Sequence, residues 1–245
     1  MAQVTRTTQG QTSLRAISGF RHTVRGMRRQ RATALVAAAC VAAVCWSASS
    51  GSQAAAVSRV DNPWFPLRPG TVWVYRGVKN GQPSRDVVRV LDATRVIDGV
   101  PCTAVSDRLF LRGRLGERTT DWYAQDESGT VRYYGEATAE LSRAGRVTSK
   151  EGSWLAGVKG AKAGIFMPAH PRVGQSFRQE YLHGHAEDHF QVIRLGARWM
   201  VTREWTPLEP GTLDHKLYAR GTGLVSERTI RGGDERATLV SVRRR

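Results

Sequence analysis

Cysteine and helical periodicity are both scarce in this 245-residue sequence, and each scarcity closes a class of explanation. There are three cysteines, Cys40, Cys45 and Cys102, and the first two lie inside one apolar run. The one thiol beyond that run is too few for a disulfide framework. Cys102 follows Pro101 beside Val100, Ala104 and Val105, where a buried inert thiol is expected rather than a nucleophile. Beyond residue 56 no twelve-residue window shows a clean 3.6-residue apolar period, which argues against a helical domain. No G-x-S-x-G nucleophile elbow occurs, and Gly157, Gly160 and Gly164 lack the Gly-Lys-Ser/Thr end of a phosphate loop.

Acid is missing from the start of the chain. Residues 1–31 hold seven arginines (Arg6, Arg15, Arg21, Arg25, Arg28, Arg29 and Arg31) and no carboxylate. Ala32 to Ala48 then runs apolar, and Ala54-Ala55-Ala56 offers a small-residue cleavage site. A basic start, an apolar run and small residues predict an export signal over 1–56 and an extracytoplasmic domain over 57–245. The alternative is a membrane anchor formed by the uncleaved segment Ala32 to Ala48, although that run is shorter than the ~20 residues a spanning helix needs. Neither Cys40 nor Cys45 has the flanking residues of a lipoprotein signal. Residues 57–245 carry 30 basic and 21 acidic side chains, net +9, and arginine outnumbers lysine 32 to 5 over the whole chain. Such a surface suits an anionic envelope surface; no nucleic-acid partner is expected of an exported chain without a clustered basic and aromatic face.

What is present reads as strands and turns. Asp121 to Glu136 places two alternating aromatic arms around Asp126-Glu127-Ser128-Gly129, a hairpin holding four of the chain's nineteen Trp, Tyr and Phe residues. These rings make it the expected centre of the core. Pro69-Gly70 feeds the alternating strand Thr71 to Tyr75, and Asp98-Gly99 predicts a second hairpin turn. Strands are expected again over Arg198 to Trp205, Leu213 to Ala219, Gly223 to Ile230 and Ala237 to Val242. Ser153 to Gly174, rich in Gly and Ala, reads as a long loop of the kind that often borders a site. Trp64 to Thr71 and Trp205 to Thr212 share W-x-P-L-x-P-G-T, which two similar strand-entry turns explain.

The sharpest candidate chemistry is His183-Gly184-His185-Ala186-Glu187-Asp188-His189. On a strand, His183, His185, Glu187 and His189 would share one face and could hold zinc or copper. The competing reading is a solvated polar face opposite Leu182, Ala186 and Phe190. Asp121, Asp126, Glu136, Glu180, Glu187, Asp188 and Glu204 supply acid/base pairs in principle, but are expected as solvated strand-edge carboxylates paired with arginine.

Long segments also resemble a group of uncharacterised exported bacterial β-rich proteins. The likeness rests on N-P-W-F-P-L-R-P-G-T-V-W-V-Y-R-G (62–77), D-W-Y-A-Q-D-E-S-G-T-V-R-Y-Y-G-E (121–136) and the loop 152–171. It extends to R-Q-E-Y (178–181), E-W-T-P-L-E-P-G (204–211) and Y-A-R-G-T-G-L-V (218–225). The group has no established activity, so the resemblance implies no catalytic residue. It commonly has a second cysteine shortly before E-W-T-P-L, where Trp199-Met200 stands here, so no partner for Cys102 is implied. The opening and closing motifs further resemble envelope proteins whose curved antiparallel sheet holds apolar ligands or acyl chains.

The expectation is one all-β domain, a single curved antiparallel sheet or partly open β-barrel of about ten to thirteen strands. Its expected role is a non-enzymatic module binding an apolar or amphipathic small molecule or lipid. Trp73, Tyr75, Trp122, Tyr123, Tyr133, Tyr134 and Trp154 are the candidate lining, against the alternative that these rings fill a dry core. Because only alternate residues of a strand share a face, at most half of them can line one cavity. The alternatives are a metal-assisted hydrolase working through His183 and His185, and a structural or interaction protein without a pocket.

Overall fold

A computed structural model describes residues 59–244. The expected export segment, with Cys40, Cys45 and the apolar run, lies outside the described residues. Within them the chain is all strand and turn. It runs β1 (Val72–Lys79), β2 (Gln82–Ile97), β3 (Val100–Leu111), β4 (Arg114–Gln125) and β5 (Val131–Leu141). The short strands β6 (Val147–Ser149), β7 (Trp154–Leu155), β8 (Lys162–Met167), β9 (Ser176–Arg178) and β10 (Glu180–Tyr181) follow. The chain ends with β11 (His189–Leu195), β12 (Trp199–Trp205), β13 (Leu213–Ala219), β14 (Gly223–Arg231) and β15 (Arg236–Arg243).

These strands make one antiparallel sheet from two meanders, β1 to β5 and β11 to β15. On one side β1 pairs with β15, bringing the two ends of the described chain together. On the other side β8 lies on β5 and pairs with β10, while β9 pairs with β11. Since β9 and β10 are separated only by Gln179, this short stretch touches both ends of the sheet and nearly closes it into a barrel. A sheet of this width must curl, and closure removes its edges.

The turns follow the sequence. Ile97 and Val100 pair across Asp98-Gly99, whose φ angles are 51° and 76°, the primed turn that suits a two-residue hairpin. Gly129, at φ 87°, completes the β4–β5 turn, in which the Asp126 side chain accepts from the amides of Ser128 and Thr130 at 3.1 Å each. The stretch Ser153 to Gly174 departs from expectation. It contributes β7 and β8, and its small residues are what let strands pack there. A Cβ added to Gly164 would overlap the Gln179 carbonyl oxygen, so the backbone of β8 meets the β9–β10 junction at a distance only glycine permits.

Cross-strand register separates the two faces of the sheet. The pairs Tyr75 with Asp86, Val88 with Asp107, Val105 with Asp121, Asp121 with Glu136, and Lys216 with Glu227 place their members on the inward face. Tyr123 and Tyr133, from the arms of the central hairpin, are both only 1% exposed and stack with ring centroids 4.7 Å apart. The hairpin is therefore at the centre of the core, as its aromatic content predicts. Cys102 is buried on another part of this packing, unpaired, its thiol pushed up to about 12 by burial.

Candidate functional site

The segment before β1 crosses one end of the barrel as a strap, and its motif residues explain how. Asn62 is buried; its side-chain amide donates to the carbonyls of Gly129 (2.9 Å) and Pro168 (3.1 Å), and its Oδ1 accepts from the Trp64 amide at 2.9 Å. Gln125 Oε1 accepts from the amides of Asp61 and Asn62 at 2.9 and 2.8 Å. Farther along, Leu67 donates its amide to Val60 at 2.9 Å, and the Gly221 amide donates to Pro63 at 2.6 Å. Four of the segments that carry the sequence resemblance, 62–77, 121–136, 152–171 and 218–225, thus meet at this end.

Beneath the strap lies an apolar cavity of about 50 Å³, bounded by Phe65, Trp73, Tyr75, Tyr123, Phe166 and Tyr218 among others. Phe65 packs edge-on against Tyr123 at 5.1 Å and tilts against Phe166 at 4.5 Å. The polar tips of two lining rings are taken up by backbone carbonyls of residues that also border the cavity: Trp73 Nε1 donates to the Thr222 carbonyl and Tyr75 Oη to that of Leu224, both at 2.9 Å. What faces the space is mostly apolar, the rings together with Leu67, Val88, Val105 and Leu224.

Of the seven aromatic residues singled out in the sequence, Trp73, Tyr75 and Tyr123 line this cavity. Tyr133 and Trp154 pack one layer behind, with ring centroids 5.4 Å apart and edge-on. Trp122 alternates with Tyr123 along β4 and is covered by the Arg95 guanidinium at 4.6 Å, while Tyr134 sits at the β5 irregularity opposite the Trp122/Tyr123 step; neither lines the cavity. Sequence reasoning missed Phe65, Phe166, Tyr218 and Leu224. The strap motif itself was the available signal for Phe65, because a Pro-flanked aromatic outside any strand needs a partner to bury against.

Away from the strap the interior turns polar. Asp121, Glu136, Glu180, Asp188 and Glu204 are each at most 1% exposed, and Glu187 is 8% exposed, so the expectation of solvated edge carboxylates fails for all six; only Asp126, in the β4–β5 turn, stays partly exposed. Tyr133 Oη lies 2.6 Å from Asp121 Oδ1 and 2.9 Å from Glu136 Oε2. A phenol has one hydrogen, so it can donate to only one of them, and a second hydrogen bond requires a proton on a carboxyl group. Lys216 Nζ sits 2.8 Å from Glu204 and 3.7 Å from Glu227. Burial raises the Glu227 carboxyl to about 8; Lys216 pulls it back, while Glu235, Asp214 and Glu204 push it further up.

The histidine cluster is not a strand. His183, Gly184 and His185 form a tight turn between Leu182 and Ala186, which bridge to each other, and Gly184 has φ 73°. Glu187 Oε1 caps that turn, lying 2.7 Å from His183 Nδ1 and accepting from the Gly184 amide at 3.1 Å. His189 stands apart, stacked on Trp205 at 5.4 Å. The shared strand face that could have held zinc or copper does not form, and no group of three His, Cys, Asp or Glu side chains with metal-holding geometry occurs among the described residues.

No protein-family model and no curated protein matches this chain. Two solved structures are similar in outline. A protein described as exported and of YmcC-like fold, from Bacteroides fragilis, aligns at 12% identity and TM-score 0.43, covering 74% of this chain and 99% of its own. A protein described as a lipoprotein, from Parabacteroides distasonis, aligns at 11% identity and TM-score 0.33 with the same coverage. Neither likeness is strong enough to bear on fold or function.

Proposed function

We propose that the chain is an exported, non-enzymatic envelope module that holds an apolar or amphipathic ligand at the strapped end of its barrel. The observation that carries the reading is the cavity walled by Trp73, Tyr75 and Tyr123, in which the polar tips of Trp73 and Tyr75 are bonded to backbone carbonyls and mostly apolar surface faces the space. At about 50 Å³ the space is smaller than the ~150 Å³ that takes a benzene-sized guest, so binding requires one wall to move. Phe65 is that wall. It is half-buried, its side chain is held by ring contacts, and the polar anchors of the strap lie to either side of it.

The test uses the full chain and a neutral fluorescent probe, N-phenyl-1-naphthylamine, displaced by a fatty acid. Wild type is expected to bind the probe, Phe65→Ala to bind it severalfold tighter, and Val105→Trp, which fills the cavity, to lose it. If neither wild type nor Phe65→Ala binds the probe or any fatty acid, the rings are a dry core and the module reading falls. The mass of the chain recovered from the cell envelope reads the export part separately.

A further inference from the structure

The seam where β8, β9, β10 and β11 meet holds a second concavity, of about 610 Å³, and its chemistry is different. Arg132 from β5, Lys162 from β8, Arg178 from β9 and His189 from β11 all line it, with the rings of Phe177 and Tyr181 beside them. His189 and Arg178 are direct cross-strand neighbours. Two carboxylates reach this group only partly. Asp126 Oδ2 takes Arg132 Nε at 3.2 Å, while Glu187 Oε1 lies 3.9 Å from Arg178 Nη2, too long for a charge-assisted hydrogen bond. Lys162 has no ion pair among the described residues.

Arg178 is the centre of the cleft. Its guanidinium sits 4.1 Å from the Tyr181 ring centroid, a cation–π contact that fixes its direction, and its Nε is buried without a hydrogen-bond acceptor. A positioned guanidinium whose side chain is still 31% exposed, lining one cleft with two further cations, is what an oxyanion would complete. The other arginine-rich concavity, of about 480 Å³, shows the contrast. There Arg112, Arg114 and Arg143 stand on hairpin tips and are all exposed, so water already solvates them.

We propose that the seam cleft binds a phosphate group of an organic phosphate, with Arg178 and Arg132 offering planar donor forks, Lys162 a point charge, and Phe177 and Tyr181 an apolar face for the attached organic part. The proposal stands apart from the apolar cavity under the strap, since its probe needs no space there. A soluble phosphate ester and a phospholipid headgroup share this chemistry.

The experiment titrates the full chain with phenyl phosphate, inorganic phosphate and phenol by calorimetry, and with phosphatidylglycerol and phosphatidylcholine vesicles by co-sedimentation. Phenyl phosphate is expected to bind more tightly than inorganic phosphate, and phenol not at all. Arg178→Lys, which keeps the charge but loses the fork, and Lys162→Ala, at an exposed side chain, should each weaken binding about tenfold. Arg143→Ala, in the other basic concavity, should leave it unchanged. His189 supplies a readout that a structural role would not move. Burial and the neighbouring Arg178 hold its pKa below the usual histidine value, with Glu187 opposing, and a bound phosphate should raise it in a proton-NMR titration. Binding confined to phosphatidylglycerol vesicles, with the same dependence on Lys162 and Arg178, would identify the headgroup as the source. The proposal is overturned if Lys162→Ala and Arg178→Lys bind like wild type, or if Arg143→Ala weakens binding as much as they do.

Discussion

A single lysine between two buried carboxylates sets the clearest pH dependence in the molecule. Lys216 is closer to Glu204 than to Glu227, so its charge is largely used by the first and the second is left with burial and three acidic neighbours. The Glu227 carboxyl rises from an ordinary value near 4.5 to about 8. With its pKa raised on folding, the native state holds the extra proton between those values, so its contribution to stability is complete below pH 4.5 and is lost as pH climbs toward 8. Glu227→Gln keeps the shape and removes the titration. The variant should match wild type near pH 5 and be more stable at pH 8 by up to roughly 4 kcal/mol, read from urea midpoints at the two pH values. A wild-type midpoint independent of pH across that window would show that Glu227 is ionised throughout. None of this was legible in the sequence. Glu204 and Glu227 look like ordinary solvated acids along alternating strands, and only the inward register of β12, β13 and β14 reveals that they share an interior with Lys216 and Tyr218.

Among the elements, the hairpins could be read and the seam could not. Asp98-Gly99 and Asp126-Glu127-Ser128-Gly129 announce their turns because left-handed backbone there needs those residues, and the aromatic arms around the second turn identify the core. The strap motif was visible as a turn entering β1, while its role in spanning the barrel depends on partners 63 to 106 residues away, Gln125, Gly129 and Pro168, which no local pattern names. β8 was hidden for a physical reason: its glycine lowers strand propensity but admits the Gln179 carbonyl. The His183 to His189 run misled in the opposite sense, because alternating imidazoles suggest a strand while Gly184 turns the chain. Gly164→Ala is therefore expected to strain the junction of β8 with β9 and β10, costing roughly 2–3 kcal/mol and accelerating amide exchange at Arg178 to Tyr181 before the meanders are affected. Unchanged stability and exchange would mean that the seam has slack and that the close approach is not needed for closure.

On the scale of the whole molecule, closure joins the two meanders twice, through β1 with β15 and through the β9–β10 stretch. Fifteen strands, thirteen of them on one path, exceed the ten to thirteen expected because β6 and β7 are short additions to β5. The inward carboxylates also divide the charge: much of the acid counted in the net +9 of residues 57–245 points into the barrel, so the outer surface is more basic than the total suggests. A barrel held at two junctions cannot release one meander without exposing the rings and the carboxylates of the other. Unfolding should then be a single transition in which far-UV circular dichroism and tryptophan fluorescence coincide, since Trp73, Trp122, Trp154 and Trp205 are distributed over both meanders and the β7 addition. Refolding should be slow, on the order of milliseconds to seconds, because the β1–β15 pairing joins residues more than 150 positions apart. Separated transitions, with the fluorescence of one meander lost while strand signal persists, would show that the two halves are independent units and that the strap, rather than barrel closure, holds the ligand cavity together.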